Sequence, residues 1–281
     1  MNSRGVVYCG ATHTAYLEAA LISAIALRQQ EPQIPITLIS DQPLLKFLPL
    51  YTYQITPKFL TPDFLTAESL TAETDAYTFS SRQIKTRLST LSPYQETLFL
   101  DADILPLQPI HDLWSYLAHG DLAMVADRLP MVILCDHIAQ EEKTYTLQQV
   151  PGNTVQFNSG VMLWRDTVAV QTLFEQWHRE WQKFRKHDQL ALVRALYTTQ
   201  VPVMKLPKTY NISPKDAESA ISGKLEAHLL HCWGGMVASG KYRQFARLFY
   251  PDAVDQAADL VATYHGSSHG SSQPIEVEQA L

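Results

Sequence analysis

The stretch TLFLDADILPL, residues 97–107, joins a run of strand-forming apolar residues to two carboxylates, Asp101 and Asp103, that are separated only by Ala102. Side chains alternate between the two faces of an extended chain, so both carboxylates would point to the same side. A buried carboxylate is costly unless it is paired or binds a metal. The stretch therefore predicts a strand that ends at a pair of acids able to bind a divalent cation.

Strand and helix signals alternate on both sides of this stretch. Strands are predicted at residues 6–8, 34–41 and 121–127, and helices at 16–30 and 81–91. This alternation is typical of an α/β protein with a mostly parallel central sheet flanked by helices. The Pro- and Thr-rich region before the second helix is not assigned.

Two further helices are predicted later in the chain. Residues 187–196, HDQLALVRAL, begin one of them, with an acid in its first turn. The other has apolar residues at three- and four-residue steps, which predicts a buried helix face rather than a ligand site. That face consists of Val170, Leu173, Phe174, Trp177, Trp181 and Phe184.

The composition is that of an ordinary globular enzyme. Of 281 residues, 46% are hydrophobic, and the formal net charge of −6 argues against a nucleic-acid partner or an anionic membrane surface. No apolar stretch approaches the roughly 20 residues that span a bilayer, and the first residues lack an apolar signal region. We therefore expect a cytoplasmic protein with one domain over residues 1–264 and a flexible Ser/Gly-rich tail over 265–281. A homodimer is compatible with the sequence.

Cysteines are few. Cys9, Cys135 and Cys232 are too scattered for a disulfide framework or a zinc cluster, and we predict three reduced, mostly buried thiols.

Acids follow several of the predicted strands. Asp41 and Asp127 end two of them, as Asp101 and Asp103 end the central one. Ligands of parallel sheets bind beyond the carboxyl ends of the strands, so these acids could share one edge. Two hard oxygen ligands suit Mg²⁺ or Mn²⁺ together with phosphate oxygens. Solvated acids capping a loop are the alternative.

Two metal-dependent classes share an Asp-x-Asp pair after a strand. One is phosphoryl transfer through an aspartate nucleophile, as in haloacid-dehalogenase-like phosphatases. Leu105 stands where that class usually has a small β-branched residue, and no later Gly-Asp-x-x-x-Asp pair follows. The other class is glycosyl transfer from a nucleotide sugar, in which a metal neutralises charge on the leaving diphosphate.

Five segments in order favour the second class. They are TLFLDADILPL, FNSGVMLW, HDQLAL, LPKTYNIS and HLLHCWGG. Together they resemble glycosyltransferase family 8 over residues 6–241. The resemblance implies a GT-A fold, with a Rossmann-like, mostly parallel sheet. It also implies a retaining enzyme that moves glucose or galactose from a UDP-sugar to an acceptor hydroxyl with Mn²⁺ or Mg²⁺. The acceptor would be a small molecule or a glycan.

The resemblance also implies a metal centre made of Asp101, Asp103 and His231, since neutral imidazole is a good Mn²⁺ ligand. On local grounds, a hydrogen-bonded core histidine is the alternative for His231. Gly234 completes the family's His-x-x-Gly, but Val237 stands where the family usually has Lys. Lys241 or Arg243 could replace that contact with the diphosphate. These residues stand in or after HLLHCWGG.

The turn GATHTAY, residues 10–16, matches the family's nucleotide-binding edge. Tyr16 would stack on uracil, with an ordinary aromatic at the start of a helix as the alternative. Lys85 would lie near the donor phosphates and sugar, and Ala102 would line the donor site between the acids. Further donor contacts would come from Gly10, Ala11, Thr12 and His13.

Four residues are implied beside the donor sugar. Asn158 could bond sugar hydroxyls and Gly160 could admit the donor to the backbone, although an Asn-Ser-Gly turn is a local alternative. Asp188 and Gln189 match the family's Asp-Gln pair, and with Asn158 they are the candidate catalytic residues. Asp188 could instead cap a helix.

Two other functions are kept as alternatives. One is a metal-dependent phosphatase or nucleotidyltransferase, and the other is an inactive nucleotide-sugar-binding protein. For the transferase, retention could proceed by double displacement through a carboxylate or by same-face transfer. Self-glucosylation, known in the family from glycogenin, is not expected, because no Tyr occurs between Tyr210 and Tyr242.

Overall fold

A seven-stranded sheet forms the centre of the described chain. The computed structural model describes residues 4–61 and 76–267. The strand order across the sheet is β3-β2-β1-β4-β7-β6-β8. The bounds are β1 Arg4–Cys9, β2 Ile36–Ser40, β3 Ile55–Phe59, β4 Glu96–Asp101, β6 Leu122–Met131, β7 Val155–Arg165 and β8 Met204–Leu206. Two short strands, β5 Ile104–Pro106 and β9 Leu229–His231, pair separately and antiparallel.

Every strand of the large sheet except β7 runs in the same direction. β7 lies between β4 and β6 and is antiparallel to both, while the remaining pairs are parallel. The carboxyl ends of β1, β2, β4 and β6 therefore meet at one edge, together with the beginning of β7. This confirms the predicted α/β architecture with a mostly parallel sheet and adds one reversed strand.

Helices cover both faces of the sheet. Along β1, Val6 and Tyr8 pack into one apolar cluster, and Val7 and Cys9 pack into another on the opposite face, as the alternation of a strand requires. The first cluster includes residues of α1, α8 and α9, and the second includes residues of α5 and α6. The helices are α1 Thr14–Gln30, α2 Ala76–Lys85, α3 Leu88–Leu91, α4 Gln140–Leu147, α5 Val168–Gln182, α6 Gln189–Thr199, α7 Ala217–Ile221, α8 Lys241–Phe249 and α9 Pro251–Ser267.

Most predicted elements are present, with changed bounds. The helix predicted over 81–91 is two helices, α2 and α3, separated at Thr86 and Arg87. The strand predicted to end at Asp127 continues to Met131, and α6 begins one residue after Asp188. β3, β7 and β8 of the large sheet and the short strands β5 and β9 were not predicted. Within the apolar stripe, the residues on α5 are buried, as expected: Val170, Leu173, Phe174, Trp177 and Trp181.

The predicted tail is described only at its start. Helix α9 runs to Ser267, and residues 268–281 lie outside the described residues. The domain bounds remain a prediction. The three cysteines are free and buried, which confirms that expectation. Among the helices described, none is long and apolar enough to cross a membrane.

The turn from β1 to α1 depends on a glycine. A Cβ added to Gly10 would lie 2.7 Å from Leu17 Cα and 3.1 Å from the carbonyl oxygen of Tyr16. Both are backbone atoms, so the helix itself would have to shift. Gly10 therefore sets how closely α1 can approach the end of β1.

We predict that Gly10→Ala lowers the free energy of unfolding by about 1–3 kcal/mol, because overpacked sites relax only at the expense of backbone shifts. Denaturant unfolding measures the change. Gly152→Ala is the matched control, since its nearest new contact is an ordinary 3.4 Å from Ile133. Equal stability of the two variants would contradict this prediction.

Candidate active site

A cavity of about 890 Å³ opens at the edge where the carboxyl ends of the strands meet. Its size is within the range of small-molecule sites. Candidate residues from distant parts of the sequence share its walls: Ala11, Thr12, Tyr16, Lys85, Asp101, Ala102, Asp103, Asn158, Asp188, Gln189, His231 and Gly234 line it. Gly10, His13 and Gly160 are not among the lining residues.

Asp101, Asp103 and His231 form one cluster. Asp101 ends β4, Asp103 lies in the following turn, and His231 is opposite Ile104 in the β5–β9 pair. His231 Nε2 is 3.2 Å from Asp103 Oδ1 and 3.7 Å from Asp101 Oδ2. One ligand atom from each residue lies within 4.8 Å of the others. Two carboxylates and an imidazole are a donor set that fits Mn²⁺ or Mg²⁺.

A chain of hydrogen bonds fixes the ring orientation of His231. The backbone N–H of Gly160 donates to Asn158 Oδ1 at 2.9 Å, and Asn211 Nδ2 donates to the same oxygen at 3.0 Å. Asn211 therefore presents its Oδ1 to His231 Nδ1, 3.0 Å away, so Nδ1 carries a proton and donates it. Nε2 faces the two acids, and in its unprotonated form it would be the ligand atom for a metal. Asn211 was not identified from the sequence, although it lies within the LPKTYNIS segment.

Gly160 leaves space for the same cluster. A Cβ at this position would lie 2.2 Å from His231 Cε1 and 2.9 Å from Asp101 Oδ2. From the sequence, the missing side chain of this glycine was expected to let the donor sugar approach the backbone. In the structure its missing side chain lets β7 pass close to the acids and the imidazole. Asn158 and Gly160 lie within β7, so the alternative of a simple turn is wrong.

Lys85 connects two acidic centres. Its Nζ is 2.7 Å from both carboxylate oxygens of Asp101 and 3.9 Å from Asp188 Oδ2. Arg82, one turn earlier on α2, places Nε 3.7 Å from Asp188 Oδ1. Burial by itself would lower the pKa of Lys85, but Asp101 and Asp188 raise it above its ordinary value. Lys85 therefore stays cationic between the carboxylates.

Asp188 is held as an anion inside the site. Burial opposes ionisation, but Lys85, Arg82 and the 2.6 Å hydrogen bond donated by Ser159 together lower the pKa of Asp188. Its backbone oxygen accepts from Trp177 Nε1 at 2.8 Å. The side chain makes no capping hydrogen bond to α6, so the helix-cap alternative is wrong. Arg82 and Ser159 were not identified from the sequence, because their local pattern carries no signal for this contact.

The nucleotide-binding edge predicted at residues 10–16 contains a strained turn. Thr12 has φ +72°, which is unfavourable for a β-branched residue. Its N–H donates to Asp41 Oδ1 at 2.7 Å, so the acid that follows β2 stabilises this turn. Tyr16 lines the cavity and is 38% exposed, which leaves a ring surface available. His13 caps α1 by accepting from the N–H of Ala15 and does not line the cavity.

The loop after β9 closes another side. Gly234 and Gly235 have φ +78° and +82°, a conformation that favours glycine, and both line the cavity. The cations considered as replacements for the missing family Lys do not reach the lining. Lys241 is exposed at the start of α8, and Arg243 pairs with Glu18.

Similar folds occur among solved glycosyltransferases. The galactosyltransferase LgtC, solved with donor and acceptor sugar analogues, is 14% identical with a TM-score of 0.57, over 87% of this chain and 95% of its own. GlyE of Streptococcus pneumoniae TIGR4 is 14% identical with a TM-score of 0.57, over 97% of this chain and 66% of its own.

The bifunctional glycosyltransferase WbbM is 16% identical with a TM-score of 0.58, over 83% of this chain. The matched part is 46% of WbbM, so this chain spans less than half of that protein. At these identities the likeness establishes the fold. A search of curated protein sequences gave no significant match.

The fold is that of GT-A glycosyltransferases, with candidate ligands for a metal and a nucleotide sugar at the usual edge of the sheet. A model of the nucleotide-diphospho-sugar transferase family matches residues 40–244. The chain belongs to this family, which confirms the resemblance to glycosyltransferase family 8 found in the sequence.

We predict that Asn211→Leu weakens Mn²⁺ binding about 10- to 100-fold, because outer partners orient a ligating imidazole and select its tautomer. Calorimetric titration of Mn²⁺ into the protein without nucleotide measures the affinity. Asn153→Leu, at an exposed position, is the matched control. An Asn211→Leu affinity equal to that of the control would show that the hydrogen bond does not orient His231 for a metal.

Proposed function

We propose that this protein is a retaining glycosyltransferase. It moves a hexose, glucose or galactose, from a UDP-sugar to the hydroxyl of a small-molecule or glycan acceptor, with a divalent metal at Asp101, Asp103 and His231. The observation that carries the proposal is the meeting of these three side chains in one cavity of a nucleotide-diphospho-sugar transferase fold. The three buried free cysteines support a reducing, cytoplasmic location.

In this proposal the residues around the cavity form two groups, one that contacts the nucleotide and its diphosphate and one that contacts the sugar. Tyr16 stacks on the uracil, and the strained turn at Thr12 supports its neighbours. Lys85 provides a fixed positive charge for the donor. Mn²⁺ or Mg²⁺, when bound, neutralises charge on the departing diphosphate. Asn158, Asp188 and Gln189 face the sugar.

The contacts of Asp188 are relevant to how the configuration at the anomeric carbon of the sugar is retained. One carboxylate oxygen accepts from Ser159 and the other faces Arg82. Both contacts stabilise the anion and reduce its nucleophilicity. We therefore favour same-face transfer, in which Asp188 orients Lys85 and the sugar hydroxyls instead of attacking the anomeric carbon.

No observation favours the phosphatase alternative. The family model that matches residues 40–244 is that of nucleotide-diphospho-sugar transferases. Free UDP released from UDP-glucose or UDP-galactose, with no phosphate released from phosphomonoesters, would separate the two enzymes. A protein that binds UDP with metal but turns over no donor would be the inactive binding protein.

We predict that UDP binding requires Mn²⁺ or Mg²⁺ and that Asp103→Ala abolishes this metal-dependent binding. Without the metal, the diphosphate would face uncompensated carboxylates. Calorimetry with and without EDTA measures the effect. Asp112→Ala is the matched control, because that carboxylate is 76% exposed. The same UDP affinity in the presence of EDTA would refute the metal-dependent site.

We predict that the protein does not glycosylate itself. The segment after Tyr210 offers no tyrosine until Tyr242, which is buried and donates to backbone oxygens of Ala19 and Ile104. Intact-mass measurement after incubation with UDP-glucose and Mn²⁺ is the test. A ladder of added hexoses would overturn the prediction of a separate acceptor.

A further inference from the structure

His137 lines the same cavity and belongs to none of the motifs singled out in the sequence. It lies between β6 and α4, two residues after the buried Cys135. Its Nε2 is 3.1 Å from Gln189 Oε1. Gln189 is the first residue of α6 and follows Asp188 directly. A histidine from a separate loop therefore contacts a candidate sugar-binding residue.

The direction of this hydrogen bond follows from its neighbours. Gln156 Nε2 donates to the backbone oxygens of Leu129 and Met131, which can only accept. Gln156 therefore turns its Oε1 to Gln189 Nε2, 3.3 Å away. Gln189 in turn must present Oε1 to His137, so His137 Nε2 carries the proton and donates.

Both ends of the Gln189 carboxamide are thus occupied. Gln156 is fully buried on β7, and the two carbonyls that hold it belong to β6. A glutamine side chain loses rotamer entropy when it is fixed in one orientation. Here the two strands and His137 fix it before any donor arrives.

We propose that His137 is a positioning residue of the transfer reaction, which with Gln156 holds the Gln189 carboxamide in one orientation beside Asp188. This inference rests on the proposed function. Reaction rates depend strongly on how well polar groups around the reacting atoms are aligned. A carboxamide that is free to rotate would present sometimes its oxygen and sometimes its N–H groups to the sugar.

The surroundings of His137 strengthen its role as a donor. Hydrogen bonding to the Cys135 thiol, whose Sγ is 3.9 Å from Nδ1, and to Gln189 raises the pKa of His137 to about 9. Asp136 Oδ1 is 3.4 Å from Nδ1, and the His187 ring meets His137 edge-on at 6.3 Å. Asp127 also faces this cluster, Arg128 pairs with Asp136, and Lys143 Nζ donates to the backbone oxygen of Cys135.

The raised pKa favours the protonated ring, which donates from Nε2 as the neutral ring does. Hydrogen bonds in series polarise each other, so a carboxamide that accepts from a cation is a stronger donor at its own N–H. Gln189 Nε2 has two N–H groups and donates one of them to Gln156 Oε1. By fixing the carboxamide, the hydrogen bond from His137 orients the remaining N–H for donation to a sugar hydroxyl.

Kinetics of the 281-residue protein give the first test. We predict that His137→Leu lowers kcat for UDP release from the donor about tenfold and leaves KM within about threefold, because positioning affects the reacting geometry more than donor capture. His137→Gln supplies an N–H near the Nε2 position and should recover kcat to within about threefold of wild type. His119→Leu, at an exposed histidine, is the matched control.

A double-mutant cycle tests whether His137 acts through Gln189. In a Gln189→Leu background, the additional change His137→Leu should have no further effect on kcat. Independent, multiplicative effects would overturn the inference, and so would wild-type kcat in His137→Leu.

The side-chain amide signals of Gln189 give a test that does not depend on turnover. In ¹⁵N-labelled protein, the pair of Gln189 carboxamide resonances is assigned by its disappearance in Gln189→Leu. We expect the pair to shift and broaden in His137→Leu and to stay near its wild-type position in His137→Gln. An unchanged pair in His137→Leu overturns the inference. Absence of UDP-sugar turnover in wild type, with the shift present, would instead contradict the proposed function alone.

Discussion

The pairing of β5 with β9 is the constraint on which the candidate site depends. It brings His231 opposite Ile104, and the N–H of Cys232 donates to the carbonyl oxygen of Asp103 at 2.8 Å. The N–H of His231 also donates to the carbonyl oxygen of Ile212 at 2.9 Å. A residue about 130 positions later in the sequence is thereby locked to the turn that carries the acids. A strand of three residues suffices because it is bonded on both sides.

Charge balance is the second constraint. Asp101, Asp103 and Asp188 lie together in a part of the protein where solvation is poor, and isolated charges are expensive there. Lys85 and Arg82 lie one turn apart on α2, so a single helix face supplies both cations. Removing one cation would leave a carboxylate exposed to the repulsion of its neighbours. These ion pairs therefore contribute, together with packing, to the geometry of the cavity.

Sequence patterns predicted those features of the fold that are local. Alternation and apolar runs indicated β1, β2 and β4, and helical periodicity indicated the buried face of α5. β7 was not assigned as a strand, and its direction could not be inferred in any case, because periodicity carries no information about strand direction. The Thr86–Arg87 break between α2 and α3 contains neither Gly nor Pro, so no local signal marks it.

The same limit applies to the site. Asp101 and Asp103 were recognisable from their position after a strand, and the resemblance supplied Lys85 and Asp188. Asn211 and His137 act through contacts across the fold. Their local sequence is that of ordinary polar loops, so only the tertiary structure shows what they touch.

The reversed strand explains why so many of these contacts converge. A parallel strand contributes only its last residues to the carboxyl edge, whereas β7 contributes its first ones. Leu100 pairs with Val161, so the residues just before Val161 lie level with Asp101. Four residues at the start of β7 each serve a different group in the cavity: Gln156 bonds Gln189, Asn158 bonds Asn211, Ser159 bonds Asp188 and Gly160 makes room for His231.

β7 lies between β4 and β6 and is paired with both strands from Met162 to Trp164, while its first residues pair with β6 through Val155 and Phe157. The side chains of this strand can therefore move little except by changing their own rotamers. Both amide chains of the site, one ending at His231 and one at His137, begin on this strand. The antiparallel insertion that interrupts the parallel sheet is thus the element that aligns the candidate metal ligands with the candidate sugar-binding residues.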